Sequence, residues 1–182
     1  MKKLLLVLSF VFAIGVVFAQ EKMMFGDTSR RGVPFSKDPH VVKFDGKYLM
    51  YFSIPPFADK SNPIQGWNIG IAESTDLIQW EKVGEINPDG DYESKGLCAP
   101  SALVLNNEIH LFYQTYGNGR DDAICHAVSK DGLSFNRNPT NPIFKPTGDW
   151  NCGRAIDAEV IKFNNQFLLY FATRDPNYKI QI

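Results

Sequence analysis

Hydrophobic positions in this chain fall into short runs separated by Gly, Asn, Asp and Pro, with no helical period of useful length after the opening apolar stretch. Three of these stretches align without gaps: DPHVVKFDGKYLMYF (Asp38–Phe52), APSALVLNNEIHLFY (Ala99–Tyr113) and DAEVIKFNNQFLLYF (Asp157–Phe171). Each has an apolar run, a two-residue turn and a second apolar-aromatic run. The turns are Asp45-Gly46, Asn106-Asn107 and Asn164-Asn165, residue types that accept the positive φ of a tight hairpin. A second pair of strands follows. Ala72, Ser74, Asp76 and Trp80 recur as Ala127, Ser129, Asp131 and Phe135, a pattern of strand, turn and strand. Four antiparallel strands in each unit of about 60 residues predict an all-β fold, a β-propeller of four-stranded blades.

The repeats set the boundaries: blade I at about 34–85, blade II at about 97–140, and blade III at about 154–182, incomplete. Propellers close with about four to eight blades, so three units predict a truncated propeller whose full version runs to about 300 residues. At full length it is expected to be a monomer.

The opening stretch predicts an address rather than a blade. Lys2 and Lys3 precede the apolar run Leu4–Phe18, and Val17-Phe18-Ala19 offers a cleavage site. That run is shorter than the ~20 residues needed to span a bilayer, so 1–19 reads as a signal peptide with no membrane anchor. The remainder, 20–182, is expected to be exported to the periplasm or the extracellular space.

With 19 Lys+Arg against 20 Asp+Glu and a net charge of −1, the chain lacks the basic surface that nucleic acid or an anionic membrane requires. Cys98, Cys125 and Cys152 are odd in number and form no C-x-x-C pair; they read as small buried residues, or as one disulfide plus a thiol. His40, His110 and His126 show no ligand spacing with them, so neither a metal nor a cofactor is expected. Asp89, Asp91 and Glu93 resemble part of a calcium loop but lack its continuing Gly and Glu spacing, and read as a solvated turn.

The candidate chemistry lies where the repeats begin. Propellers gather the starts of their innermost strands around a central channel, and the openers here are Asp38, Ala99 and Asp157. Two carboxylates facing one another there suit glycoside hydrolysis, which needs one ionised carboxylate and a separate proton donor. The plainer alternative is an Asp-Pro turn at Asp38 and a loop cap at Asp157.

Lys37-Asp38-Pro39-His40, Cys98-Ala99-Pro100, Ala155-Ile156-Asp157-Ala158-Glu159-Val160 and the A-x-S-x-D…W strand pair resemble glycoside hydrolase family 43. That family forms five-bladed propellers related to the invertase-type family 32. The resemblance implies that Asp38 is the general base of an inverting hydrolase and that Asp157 tunes the acid's pKa. It also implies a general acid, a glutamate of the fourth blade, which is missing from this sequence. The implied substrates are oligosaccharides or polysaccharides containing arabinose or xylose. A non-catalytic carbohydrate-binding propeller, or an inactive remnant, is the alternative.

Glu159 shares a strand face with Asp157 and is the in-chain substitute for the acid, with His40 and Ser101 at its equivalent positions. His40 reads as a contact to sugar hydroxyls or as a core histidine, and Arg154 as a sugar contact or the ion partner of Asp157. Trp67 and Trp150 lie in Gly-containing loops, where they stack on a sugar ring or simply pack. Trp80 is expected in the core, because its repeat partner is Phe135.

Overall fold

The computed structural model describes residues 25–182; the predicted signal peptide lies outside the described residues. Ten strands follow one another: β1 (Lys37–Phe44), β2 (Lys47–Ile54), β3 (Asn68–Ser74), β4 (Glu81–Ile86), β5 (Leu97–Leu105), β6 (Glu108–Thr115), β7 (Ile124–Ser129), β8 (Asn136–Arg137), β9 (Ile156–Phe163) and β10 (Gln166–Ala172). They form two four-stranded antiparallel sheets, β1-β2-β3-β4 and β5-β6-β7-β8, and a two-stranded sheet of β9 and β10. The fold is all-β and part of a propeller. No described helix is long and apolar enough to cross a membrane.

The repeat turns set the register. Asp45 and Gly46 (φ 46° and 78°), Asn106 and Asn107 (51° and 63°), and Asn164 and Asn165 (48° and 61°) all occupy the left-handed region. Two successive left-handed residues give the turn whose twist matches that of the flanking strands.

The first two sheets pack face to face. Leu49, Tyr51, Ile69 and Ile71 of the first meet Leu97, Ile109, Leu111 and Tyr113 of the second, all without exposed surface. The turn after β7 presses onto the first sheet at Gly132, whose carbonyl accepts the Tyr51 hydroxyl at 2.9 Å. A Cβ on Gly132 would come within 2.3 Å of Leu49 Cδ1, and its φ of +77° independently favours glycine. Phe135 sits edge-on to Tyr51 with centroids 5.6 Å apart, and Trp80 packs beside Met50, Phe52, Ile54 and Ala72; both repeat aromatics are half-buried, so Trp80 covers the margin of the core rather than lying inside it. A smaller cluster built on Ile124, Ala155 and Ala158 joins the second and third sheets, with Phe144 against Phe171 at 4.8 Å.

The solvated turn expected at Asp89–Glu93 is corrected by the structure. Asp89 and Asp91 are exposed, but Glu93, in a short 3-10 turn (Asp91–Glu93), is fully buried. Its carboxylate accepts hydrogen bonds from the Tyr113 hydroxyl, the Asp89 N–H at 2.7 Å and Arg137 Nε at 3.0 Å. The linker between the first two sheets is pinned to the second by this buried ion pair. Cys98, Cys125 and Cys152 are free thiols; the first two are buried, and burial pushes Cys125 up to about 12.

Candidate active site

Strands β1, β5 and β9 lie side by side, and their first residues meet at one end of the fold. Asp38, Ala99 and Asp157 share a left-handed backbone, with φ of 51°, 49° and 52°. Each lies at a register irregularity of its strand pair: between Lys37 and His40, between Cys98 and Ser101, and on β9 opposite the shift between Tyr170 and Ala172. An extra residue in one strand re-aims a side chain that regular pleating would send elsewhere. Asp tolerates this conformation far better than Ala does.

Neighbouring sheets hold these bulges in place. The Ala99 N–H donates to Ser53 Oγ at 2.8 Å, and the Asp157 N–H donates to Gln114 Oε1 at 2.6 Å. Ser53 and Gln114 occupy the same position of the repeat, near the end of β2 and β6 respectively. Each therefore belongs to one blade and fixes the opener of the next. Backbone bonds run parallel to these links, from Leu97 N–H to the Trp67 carbonyl at 2.8 Å and from Ala155 N–H to the Asp122 carbonyl at 3.0 Å.

The three openers border a cavity of about 240 Å³, which Asp38, His40, Ala99, Asp157 and Glu159 line together with Pro39, Pro100 and Ala158. Its two aspartates have different surroundings. Asp38 Oδ2 accepts the Ser53 hydroxyl at 2.9 Å and lies 3.2 Å from Lys37 Nζ. The Asp157 carboxylate has no hydrogen-bond donor among the described residues. The residue is exposed, yet the protein atoms packed around its carboxyl displace enough water to raise its pKa above the ordinary carboxylate value. The negative charge of Asp38 adds to the rise, while Lys37 and Arg154 oppose it.

Two residues further along the inner strands a second ring forms. Ser101 Oγ donates to Glu159 Oε2 at 2.9 Å, and His40 Nδ1 lies 3.6 Å from the same oxygen. The i+2 positions of the three blades thus converge below the openers.

Other expected site residues fall elsewhere. Arg154 pairs with Asp122, Nη2 to Oδ2 at 3.0 Å, and both are buried; its ion partner is not Asp157. Asp122 ends the loop before β7, so this pair ties the second sheet to the start of the third. The Trp67 ring carries the Lys37 ammonium 4.8 Å from its centroid and contacts Phe35 and Tyr116. Trp150 is exposed, in a loop that does not line the cavity. Lys37, Ser53, Gln114 and Asp122 were not anticipated. The repeat alignment held the signal for two of them, since Ser53 and Gln114 stand equally far behind their openers.

A radial set of sheets with carboxylates at the mouth of the inner strands is the architecture of a propeller-type glycoside hydrolase. Residues 34–182 match the model of the glycosyl hydrolases family 32 N-terminal domain, and the chain belongs to that family. The sucrose-6-phosphate hydrolase of Zymomonas mobilis subsp. mobilis (strain ATCC 31821) is 28% identical over 153 residues, which cover 79% of this chain and 29% of the relative. Among solved structures, a thermostable family-43 glycoside hydrolase superposes with a TM-score of 0.68 at 20% identity, covering 81% of this chain and 52% of that one. The sucrose-6-phosphate hydrolase from Lactobacillus gasseri gives 0.67 at 19% identity, covering 80% and 30%. These structural likenesses show the fold. The family shown is family 32, the relative of the family 43 suggested by the motifs. The chain spans between 21% and 29% of the length of the curated relatives it matches.

Proposed function

We propose that this chain supplies the sugar-binding end of a glycoside hydrolase, with Asp38 as its ionised carboxylate and Asp157 facing it across the bound ring. The observation that carries this reading is the shared cavity: two aspartates, at the same bulged position of different blades, line one pocket. A hydroxyl and an ammonium hold Asp38 in place, as suits a group that must act as an anion. Asp157 keeps its oxygens free for sugar hydroxyls.

The substrate class that the family match favours is the fructoside, because the matched relatives are named sucrose-6-phosphate hydrolases. Arabinose- or xylose-containing glycans are the second reading, supported by the motif resemblance and by the family-43 likeness. Under the resemblance Asp38 activates water and the product inverts; direct attack by Asp38 on the anomeric carbon gives retention instead. The proton donor implied by the resemblance, a glutamate of a fourth blade, is not among the three sheets described. Glu159 is the carboxyl within this cavity nearest to such a role. Export through the opening segment belongs to the same proposal.

The test is hydrolysis of sucrose and of aryl arabinofuranosides and xylosides by the wild-type chain and by Asp38→Asn. Loss of turnover of about 10²-fold or more in the variant supports the reading. Turnover equal to that of the wild type removes Asp38 from the mechanism. The anomeric configuration of the first product separates the two roles of Asp38.

A further inference from the structure

Lys37 stands directly before Asp38, and its ammonium is the cation that holds the Asp38 carboxylate. On a regular strand, adjacent side chains point to opposite faces, so a lysine directly before an aspartate would not reach it. Here the left-handed turn at Asp38 and the bulge that follows bring Lys37 Nζ to 3.2 Å from Asp38 Oδ2, the oxygen that also accepts the hydrogen bond of the Ser53 hydroxyl. The ammonium also lies over the Trp67 ring, 4.8 Å from its centroid, within the range of a cation–π contact. Phe35 at 5.8 Å and Tyr116 at 6.0 Å brace that ring.

The repeat shows that this cation is specific to one blade. The residues equivalent to Lys37 are Cys98 and Ile156, both buried and apolar. The ring of openers therefore carries one lysine, beside one of its two aspartates. Burial works against the ammonium, but the charge and hydrogen bond of Asp38 outweigh it, and Lys37 titrates above its ordinary range.

We propose that Lys37 is a positioning residue: held over the Trp67 ring, it fixes the Asp38 carboxylate toward the sugar and offsets negative charge in the cavity. The proposal rests on the glycosidase reading above. The charged and titratable groups near Asp157 are Asp38, Lys37 and His40 from β1, Cys98 from β5, Arg154 before β9, and Glu159 on β9. Arg154 is already engaged by Asp122, so Lys37 is the cation beside Asp38 that a substitution can remove without breaking a buried pair.

The experiment is Lys37→Met, which keeps most of the apolar stem, with Lys37→Arg as the rescue. In the full chain, carboxyl NMR follows the titration of Asp157, and sugar hydrolysis is measured alongside. The titration of Asp157 is expected to move to higher pH in Lys37→Met and to return in Lys37→Arg, a change that a merely structural lysine would not produce. kcat is expected to fall about tenfold with KM little changed. An Asp157 titration that stays in place overturns the charge role. Unchanged kcat in an active chain overturns the positioning role. If the wild type neither hydrolyses nor binds any of the sugars, the glycosidase reading fails, while the titration still decides whether Lys37 governs the charge felt by Asp157.

Discussion

The side-chain carbonyl of Gln114 accepts the N–H of Asp157 at 2.6 Å, so the second blade holds the backbone turn that aims the third blade's carboxylate. Gln114 is almost wholly buried. Gln114→Ala leaves that N–H without its partner, and an unpaired group of this kind costs about 1–3 kcal/mol. Urea denaturation is expected to show that loss, with an unchanged dependence on denaturant. A midpoint equal to that of the wild type would mean that the link carries no energy.

The charge of Asp38 is one of the two influences that raise the Asp157 pKa. Asp38→Asn removes that charge and keeps the shape, so Asp157 is expected to titrate at lower pH than in the wild type. Because the raised group binds more protons folded than unfolded, the wild type also loses stability as pH rises through the titration range of Asp157. That slope is expected to shrink in Asp38→Asn. Carboxyl NMR and thermal melts across pH 3–7 read the two effects separately.

Glu93 is the buried anchor of the linker between the first two sheets, held by Tyr113, Arg137 and the Asp89 N–H. Glu93→Ala strands Arg137 without its partner, and breaking a buried pair in this way costs about 3–5 kcal/mol. The expected outcome is a chain largely unfolded at 37 °C by circular dichroism. A loss below about 1 kcal/mol would place the linker's stability elsewhere.

His110 and His126 face each other with Nδ1 and Nε2 3.1 Å apart and their rings within 15° of parallel. Burial, and then the charge of His110, lowers the His126 pKa. A histidine kept neutral in the fold binds fewer protons there than when unfolded. Its contribution is complete above the ordinary value of about 6.5 and fades as pH falls through the lowered one. Stability is therefore expected to drop between pH 7 and pH 5, and His126→Gln is expected to flatten that slope. An equal slope in both proteins contradicts the assignment.

The fold was legible because its signal is periodic. Hairpin turns such as Asn106-Asn107 and the Trp80/Phe135 correspondence recur at nearly constant spacing, and each recurrence reinforces the others. Asp38 and Asp157 stood out for the same reason, as equivalent positions of a repeat. What stayed hidden depends on side-chain direction. Period-two reasoning keeps Lys37 away from Asp38, and only the bulge brings them together. Arg154 stands three residues before Asp157, yet the buried Asp122 on the neighbouring blade binds it instead. Glu93 read as solvated because its two acidic neighbours are; a single 3-10 turn moves it from surface to interior.

The central claim is that a sugar binds between Asp38 and Asp157. An NMR titration of the isotopically labelled chain with sucrose, and with arabino- and xylo-oligosaccharides, tests it most directly. The account predicts that the amide signals of Asp38, His40, Ala99, Asp157 and Glu159 shift together and saturate with at least one of these sugars. It also predicts that Asp157→Asn weakens binding about tenfold, the loss expected from one charge-assisted hydrogen bond. Shifts confined to other surfaces, or the same affinity in Asp157→Asn, would contradict it.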